Sequence, residues 1–189
     1  MKDVPVVFVH GIWKDSSAFR VMSKYLERRG FETYAIDLEP NNGSVTIEVL
    51  AEQLAKFVKE FGAPVDLVGF SMGGLVSRYY IQRLGGSEHV RKFITIGSPN
   101  HGTLTASLGS RPAIQQMRVG SPLIVDLNSD VGMLLKHDVI SIWTPFDLMV
   151  TPGITAKLPV GSSFLAPTLI HHLMLSDNRV LNIVEEELS

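Results

Sequence analysis

The stretch Val65–Tyr80, which reads VDLVGFSMGGLVSRYY, decides the fold. Its first four residues form a short apolar run typical of a buried strand, and a helical pattern begins at Met72. Between strand and helix lies a G-x-S-x-G motif, Gly69-Phe70-Ser71-Met72-Gly73. In this context the motif is a nucleophile elbow, a sharp turn that projects the serine hydroxyl beyond the edge of the sheet. The stretch therefore predicts a nucleophile at Ser71.

Three glycines favour the elbow over an ordinary glycine-rich connection between a strand and a helix. Such a tight turn crowds the strand against the helix, so the flanking positions require residues without side chains. Gly69, Gly73 and Gly74 meet this requirement, and glycine also tolerates the backbone dihedrals of sharp turns. The motif alone also occurs by chance, and the strand before it and the helix after it carry the prediction.

The rest of the chain alternates strands with helices, which predicts an α/β fold with a central, mostly parallel sheet of about six strands. The apolar runs that predict strands are 4–9, 33–38, 65–68, 93–96, 139–143 and 162–166. Helical spacing of apolar residues covers 17–29, 47–61, 72–84 and a last segment capped by Ser176 or Asp177. We expect a single domain over residues 1–189. Residues 99–136 are irregular, with two short helices near Ala113 and Pro122, and border the site.

Composition limits the classes of function. The 189 residues are 45% hydrophobic and 19% charged, as in globular proteins, and the net charge is −2 with no basic block, which disfavours nucleic-acid binding. There is no cysteine, so disulfides and thiolate chemistry are excluded. We expect neither a metal nor a cofactor. No signal peptide or membrane-spanning run is visible, so we expect a cytoplasmic location. We also expect a monomer.

A serine nucleophile needs a base and a carboxylate that orients the base. In the elbow fold these follow the serine in the order acid, then histidine. Asp147 fits best, because it lies in a loop directly after the predicted strand 139–143. Only His171 and His172 follow Asp147, so one of these neighbours is the candidate base. In an extended loop their side chains would point in opposite directions, and only one could face Ser71.

The stretch His10-Gly11-Ile12 after the first strand predicts an oxyanion hole. Such a site needs two backbone N–H donors aimed at one point. The amide of Met72, directly after the nucleophile, supplies one donor, and the amide of Ile12 is the candidate for the other. Gly11 permits a close approach of the backbone, although a simple tight turn would look the same in sequence.

Five stretches together resemble the α/β-hydrolase lipases and esterases, most of all the small bacterial lipases without a lid. They are, in chain order, Val9-His10-Gly11-Ile12, Gly69-Phe70-Ser71-Met72-Gly73-Gly74, Gly97-Ser98-Pro99-Asn100-His101-Gly102-Thr103, Asp147-Leu148-Met149-Val150 and His172-Leu173-Met174-Leu175. The resemblance implies hydrolysis of carboxylic esters through an acyl-enzyme. It also implies Ser71 as nucleophile, Asp147 as orienting acid and His172 as base, with the amides of Ile12 and Met72 as the oxyanion hole.

Apolar residues flank these positions and are predicted to bind an acyl chain or a neutral alcohol, although each could equally be a core residue. They are Trp13, Phe70, Phe146, Leu148, Met149 and Leu173, and Ile12 and Met72 add apolar side chains of their own. The expected partner is a small ester or lipid, with transient contact to a membrane surface. Two alternatives stay open. One is an acyltransferase or thioesterase with the same triad, and the other is a binder of small molecules on the same scaffold.

Overall fold

The computed structural model describes residues 4–189 and builds them around one sheet of six parallel strands in the order β2-β1-β3-β4-β5-β6. The strands are β1 Val6–Val9, β2 Thr33–Ile36, β3 Val65–Phe70, β4 Val90–Ile96, β5 Asp138–Trp143 and β6 Ser162–Leu165. The predicted parallel sheet is confirmed, including the strand that precedes the elbow. The first three residues of the predicted domain lie outside the described residues.

Helices cover both faces of the sheet, and each face has its own core. The helices are α1 Arg20–Glu27, α2 Ile47–Lys59, α3 Met72–Arg83, α4 Pro112–Gln116, α5 Pro122–Ser129 and α6 Asn178–Leu188. In β1, Val7 and Val9 pack in one core with residues of α2 and α3, whereas Val6 and Phe8 pack in the other with residues of α1 and α6. Burial on both faces explains the continuous apolar runs of the central strands.

The irregular segment 99–136 folds mainly into short helical pieces. Two of them are the predicted short helices, α4 and α5, and 3₁₀ helices cover Leu104–Leu108 and Val131–Lys136. Prolines at the first turn of α4 and of α5 suit these starts, because proline lacks the N–H that an N-terminal turn leaves unbonded.

Buried Arg78 on α3 ties the 99–136 segment to the elbow helix. Its guanidinium donates to the carbonyl oxygens of Asn100, at 3.1 Å, and Leu127, at 2.7 Å. Burial lowers the pKa of this guanidinium to about 10, so it stays protonated at neutral pH. The elbow helix and the segment that borders the site are therefore fixed to each other.

Within residues 4–189, no helix combines the length and the apolar character that crossing a bilayer requires.

Candidate active site

The elbow at Ser71 has the geometry that the sequence predicts. β3 ends at Phe70 and α3 begins at Met72, and the serine between them has φ 54° and ψ −126°. A positive φ is unfavourable for a residue with a side chain and is typical of strained functional positions. The turn is held because the Ser71 amide donates to Ile96 O at 2.9 Å and the Ser71 carbonyl accepts from the Gly74 amide at 3.0 Å.

Close packing of strand and helix explains the glycines of the elbow. A Cβ atom on Gly73 would lie 2.1 Å from the carbonyl oxygen of Val9, and one on Gly69 would lie 2.6 Å from Cα of Gly74. Real Cβ atoms do not approach other atoms so closely, so only glycine fits here. The glycine requirement predicted from sequence is confirmed by these distances.

Asp147 pairs with His171. His171 Nδ1 lies 2.7 Å from Asp147 Oδ2, and the other carboxylate oxygen accepts from the amides of Met149, at 2.8 Å, and Val150, at 2.9 Å. The imidazole packs on the ring of Phe70 with 4.7 Å between centroids. Its Nε2 is buried and makes no hydrogen bond to any residue in the described range 4–189. The carboxylate thus fixes one ring nitrogen and leaves the other available to accept a proton.

His172 is not the partner of Asp147, which corrects the assignment implied by the family resemblance. The prediction also treated these residues as an extended loop, whereas they begin a 3₁₀ helix, His171–Leu175. Successive side chains of a 3₁₀ helix are about 120° apart. His171 therefore faces Asp147, while His172 is exposed and lines the neighbouring cavity.

The two predicted oxyanion donors flank Ser71. Within residues 4–189, the amides of Ile12 and Met72 donate no hydrogen bond to another residue, so both remain available to a bound oxygen. A Cβ atom on Gly11 would lie 2.8 Å from Cβ of Ser71, which shows how closely this loop approaches Ser71. Trp13 in the same loop has φ 59°, so both non-glycine residues with positive φ in the described chain belong to this site.

Buried His10 fixes the loop that carries Ile12. His10 Nε2 accepts from the Leu38 amide at 2.9 Å, which requires the neutral tautomer with its proton on Nδ1. That Nδ1 lies 2.9 Å from the Gly11 carbonyl oxygen and donates to it. His10 is therefore a structural residue that ties the loop after β1 to the segment directly after β2, and it leaves no ring nitrogen for chemistry.

Two cavities meet at Ser71 and share Ile12, Trp13 and Met149 in their walls. The first, of about 90 Å³, extends under the 99–136 segment and is lined by no charged residue. The second, of about 220 Å³, extends toward His171 and His172 and also contacts Lys14. A substrate whose reacting carbon lies at Ser71 can therefore place one substituent in an apolar space and the other beside the imidazoles.

The predicted substrate-binding residues divide into two groups. Trp13 and Met149 line both cavities, and Phe70 lines the second. Three others line neither of these two cavities and are exposed, namely Phe146 (51%), Leu148 (79%) and Leu173 (43%). They are neighbours of Asp147 and His172 in the chain, but their side chains extend toward solvent.

Sequence reasoning missed most of the wall of the first cavity. That wall comes largely from the segment after β4 and from the loop after Asp147, and consists of Pro99, Thr103, Thr105, Ala106, Ile114, Met117 and Val150. The run Gly97–Thr103 was the available signal, because it follows β4 at the same edge of the sheet as Ser71. No local pattern marked Ile114 or Met117.

In the part of the chain that the structure describes, the site contains no cluster of metal ligands. Among residues 4–189, no group of three or more histidine, aspartate and glutamate side chains is placed to hold a metal ion. His101, in the stretch after β4, lies on a separate surface cavity with Ile154 and Lys157. Burial, together with the charge of Arg78, lowers the pKa of His101.

Comparison with known proteins places the chain in one sequence family. The model of the family described as palmitoyl protein thioesterase matches residues 5–143. Palmitoyl-protein thioesterase 3 of Dictyostelium discoideum is 26% identical over 106 residues, which are 52% of this chain and 36% of that protein. Lysosomal thioesterase PPT2 of Bos taurus is 33% identical over 107 residues, 52% of this chain and 34% of that protein. The matched stretch thus spans about a third of the length of these relatives.

Solved structures show the same fold over almost the whole chain. Mature Bacillus licheniformis lipase BlEst2 superposes with a TM-score of 0.83 at 20% identity, covering 98% of this chain and 92% of that one. Aspergillus fumigatus lipase B gives 0.83 at 18% identity, covering 96% and 51%. At these identities the likeness concerns the fold, and it confirms the predicted α/β-hydrolase architecture.

Proposed function

Because the chain belongs to the palmitoyl protein thioesterase family, we propose that it hydrolyses acyl esters, including thioesters, through a serine acyl-enzyme. The observation that carries the proposal is the 2.7 Å contact of His171 with Asp147. His171 lines the same cavity as Ser71, which lies at a turn with a positive φ. The proposed nucleophile Ser71, acid Asp147 and base His171 thus occur in the chain order expected for this fold. The roles of Ser71, Asp147 and His171 are part of the proposal.

In the proposed first half-reaction Ser71 Oγ attacks the acyl carbon while its proton passes to His171 Nε2. The carbonyl oxygen becomes an oxyanion that accepts hydrogen bonds from the amides of Ile12 and Met72. Asp147 keeps the proton on Nδ1 of the imidazole and stabilises the imidazolium. The bond from the acyl carbon to the leaving oxygen or sulfur then breaks, and His171 returns its proton to that atom.

In the second half-reaction water replaces the leaving group. His171 Nε2 takes one proton from the water, whose oxygen attacks the acyl carbon of the ester on Ser71. Collapse of this second oxyanion intermediate breaks the bond to Oγ, releases the carboxylic acid and returns the proton to the serine. Both halves use the same base and the same two amides, so a single site suffices for the cycle.

An oxygen ester and a thioester are both compatible with this site, and the family match favours the thioester. The test compares kcat/KM on p-nitrophenyl butanoate with kcat/KM on a butanoyl thioester of N-acetylcysteamine, with Ser71→Ala as the control. We expect turnover of at least one substrate and stoichiometric labelling of Ser71 by an organophosphonate. A labelled protein that turns over ester only with an added acceptor alcohol would instead be an acyltransferase. Absence of both labelling and turnover would favour the alternative that the protein binds small molecules without catalysing a reaction.

We also propose transient contact between the rim of the site and a lipid surface. The exposed apolar side chains Leu148, Phe146 and Leu173 lie within two residues of Asp147 or His171 in the chain, and Leu108 (92% exposed) ends the 3₁₀ helix that lines the first cavity. Sedimentation with phosphatidylcholine vesicles tests this, and Leu148→Asp should reduce the bound fraction. Equal binding of both forms would contradict it. The monomeric state and the cytoplasmic location stay predictions.

A further inference from the structure

We infer that the 90 Å³ cavity beside Ser71 is an acyl pocket that admits only short chains, of about four carbons, with Ile114 as the residue that sets its depth. The inference rests on the proposed acyl-enzyme mechanism. It departs from what the family name suggests, because a hexadecanoyl chain would far exceed this space.

The position of His171 decides which cavity takes the acyl chain. The base must deliver its proton to the leaving atom, so the leaving group has to lie on the side of His171. That is the 220 Å³ cavity, which also contacts Lys14 and His172. The acyl chain then occupies the other cavity, whose walls carry no charged side chain and so suit a hydrocarbon.

The volume of the acyl cavity limits the chain length. An apolar cavity of about 150 Å³ accommodates benzene, with its six carbons. In proportion, 90 Å³ accommodates about four carbons. Butanoyl esters should therefore fill the pocket, while each methylene beyond it would have to displace the wall or remain in solvent.

The wall at α4 is anchored, so the cavity does not widen easily. The Ala113 amide donates to Gly43 O at 3.1 Å, and Gln116 Oε1 accepts from the Ile47 amide at 2.7 Å. These bonds tie α4 to the start of α2 and to the loop before it. Opening the pocket would break them and expose the buried end of α2.

Ile114 fits between two glycines. A Cβ atom on Gly109 would lie 2.6 Å from Cγ2 of Ile114, and one on Gly43 would lie 3.5 Å from Cγ1 of Ile114 and 2.8 Å from Cδ1 of Ile12. The isoleucine is thus fixed on both sides and contributes a branched side chain to the wall of the cavity. Replacement by alanine removes three carbons from that wall.

The test is the chain-length profile of kcat/KM on soluble p-nitrophenyl acetate, butanoate and octanoate. In the wild-type protein we expect butanoate to exceed octanoate at least tenfold. Ile114→Ala should raise the octanoate-to-butanoate ratio about tenfold or more, since each additional buried methylene is worth about fourfold. Val125→Ala is the matched control, because Val125 belongs to the same segment but is 58% exposed and does not line the pocket. Its profile should equal that of the wild type.

A second variant tests the pocket in the opposite direction. Ala106 is 4% exposed and lines the cavity, so Ala106→Leu should fill it and lower the butanoate-to-acetate ratio at least tenfold. The inference is overturned if the wild type prefers octanoate, or if Ile114→Ala and Val125→Ala share one profile. These results would leave the proposed function intact. Equal rates for wild type and Ser71→Ala on every ester would instead refute the proposed function itself.

Discussion

Replacement of His171 by alanine should remove almost all activity, whereas the same change at its neighbour His172 should not. The physical reason is the contact between His171 Nδ1 and Asp147 Oδ2 at 2.7 Å, which leaves Nε2 as the proposed proton acceptor in the cavity that Ser71 also lines. His172 is exposed and has no such contact with the carboxylate. Without an acceptor for its proton, a serine hydroxyl is a poor nucleophile.

The expected loss in kcat for His171→Ala is about 10⁴–10⁶-fold, as for removal of the base from other serine triads. For His172→Ala we expect less than about tenfold, which corresponds to 1.4 kcal/mol in the activation barrier. The gap between the variants therefore exceeds any plausible difference in substrate contact.

The His171 variant should remain folded, so its loss of activity has a chemical cause. The change leaves one oxygen of Asp147 without its partner, which costs about 1–3 kcal/mol. Loss of the contact with Phe70 costs about 1 kcal/mol more. The sum is smaller than the usual stability of a domain, about 5–15 kcal/mol. At about 2–4 °C per kcal/mol, Tm should fall by roughly ten degrees.

The assay measures kcat for both variants on one soluble ester, with Tm from thermal unfolding as the check of folding. An active His171→Ala beside an inactive His172→Ala would show that the observed pairing with Asp147 is not the catalytic one. Two active variants would refute the triad as a whole.

Three further changes test other parts of the site. Asp147→Asn should lower kcat about 10⁴-fold. The amides of Met149 and Val150 would hold the side-chain oxygen of the asparagine, so its NH₂ group would face His171 Nδ1 and force the imidazole proton onto Nε2. An unchanged kcat would refute this. Ile12→Pro removes the proposed amide donor and should lower kcat about 10²–10³-fold, whereas Ile12→Ala keeps the amide and should lower kcat far less. Similar kcat values for the two variants would place the donor elsewhere. Gly73→Ala should lower the free energy of unfolding by about 3 kcal/mol, measured with urea, while Gly132→Ala, in open space, should change it by less than about 0.5 kcal/mol.

Much of the fold was predictable because its signals are local. Burial on both sides of a parallel sheet produces continuous apolar runs, and these located all six strands to within a few residues. The elbow was predictable because its glycines, its serine and the order of strand and helix are adjacent in the chain. Asp147 was found by the same reasoning, since it follows β5 at the edge of the sheet that Ser71 occupies.

The walls of the site were not predictable, because their residues are adjacent only in space. Ile114 and Met117 have no local pattern that distinguishes a cavity wall from an ordinary core, and Phe146 and Leu148 have none that indicates exposure. Ile114 and Met117 share their cavity wall with Ile12 and Trp13, which follow β1, and with Met149 and Val150, which follow β5. Burial beside a cavity is therefore a property of the tertiary arrangement.

By itself, the sequence determined the candidate nucleophile, the candidate acid and the restriction of the candidate base to two adjacent histidines, since each follows from residue type and chain order. The tertiary structure decided between those histidines. A 3₁₀ turn, rather than an extended loop, brings His171 onto Asp147 and turns His172 toward solvent. Which histidine faces Asp147 depends on how the loop after β6 packs against Phe70 and Gly97. This contact joins distant segments, and no pattern around residues 169–175 encodes it.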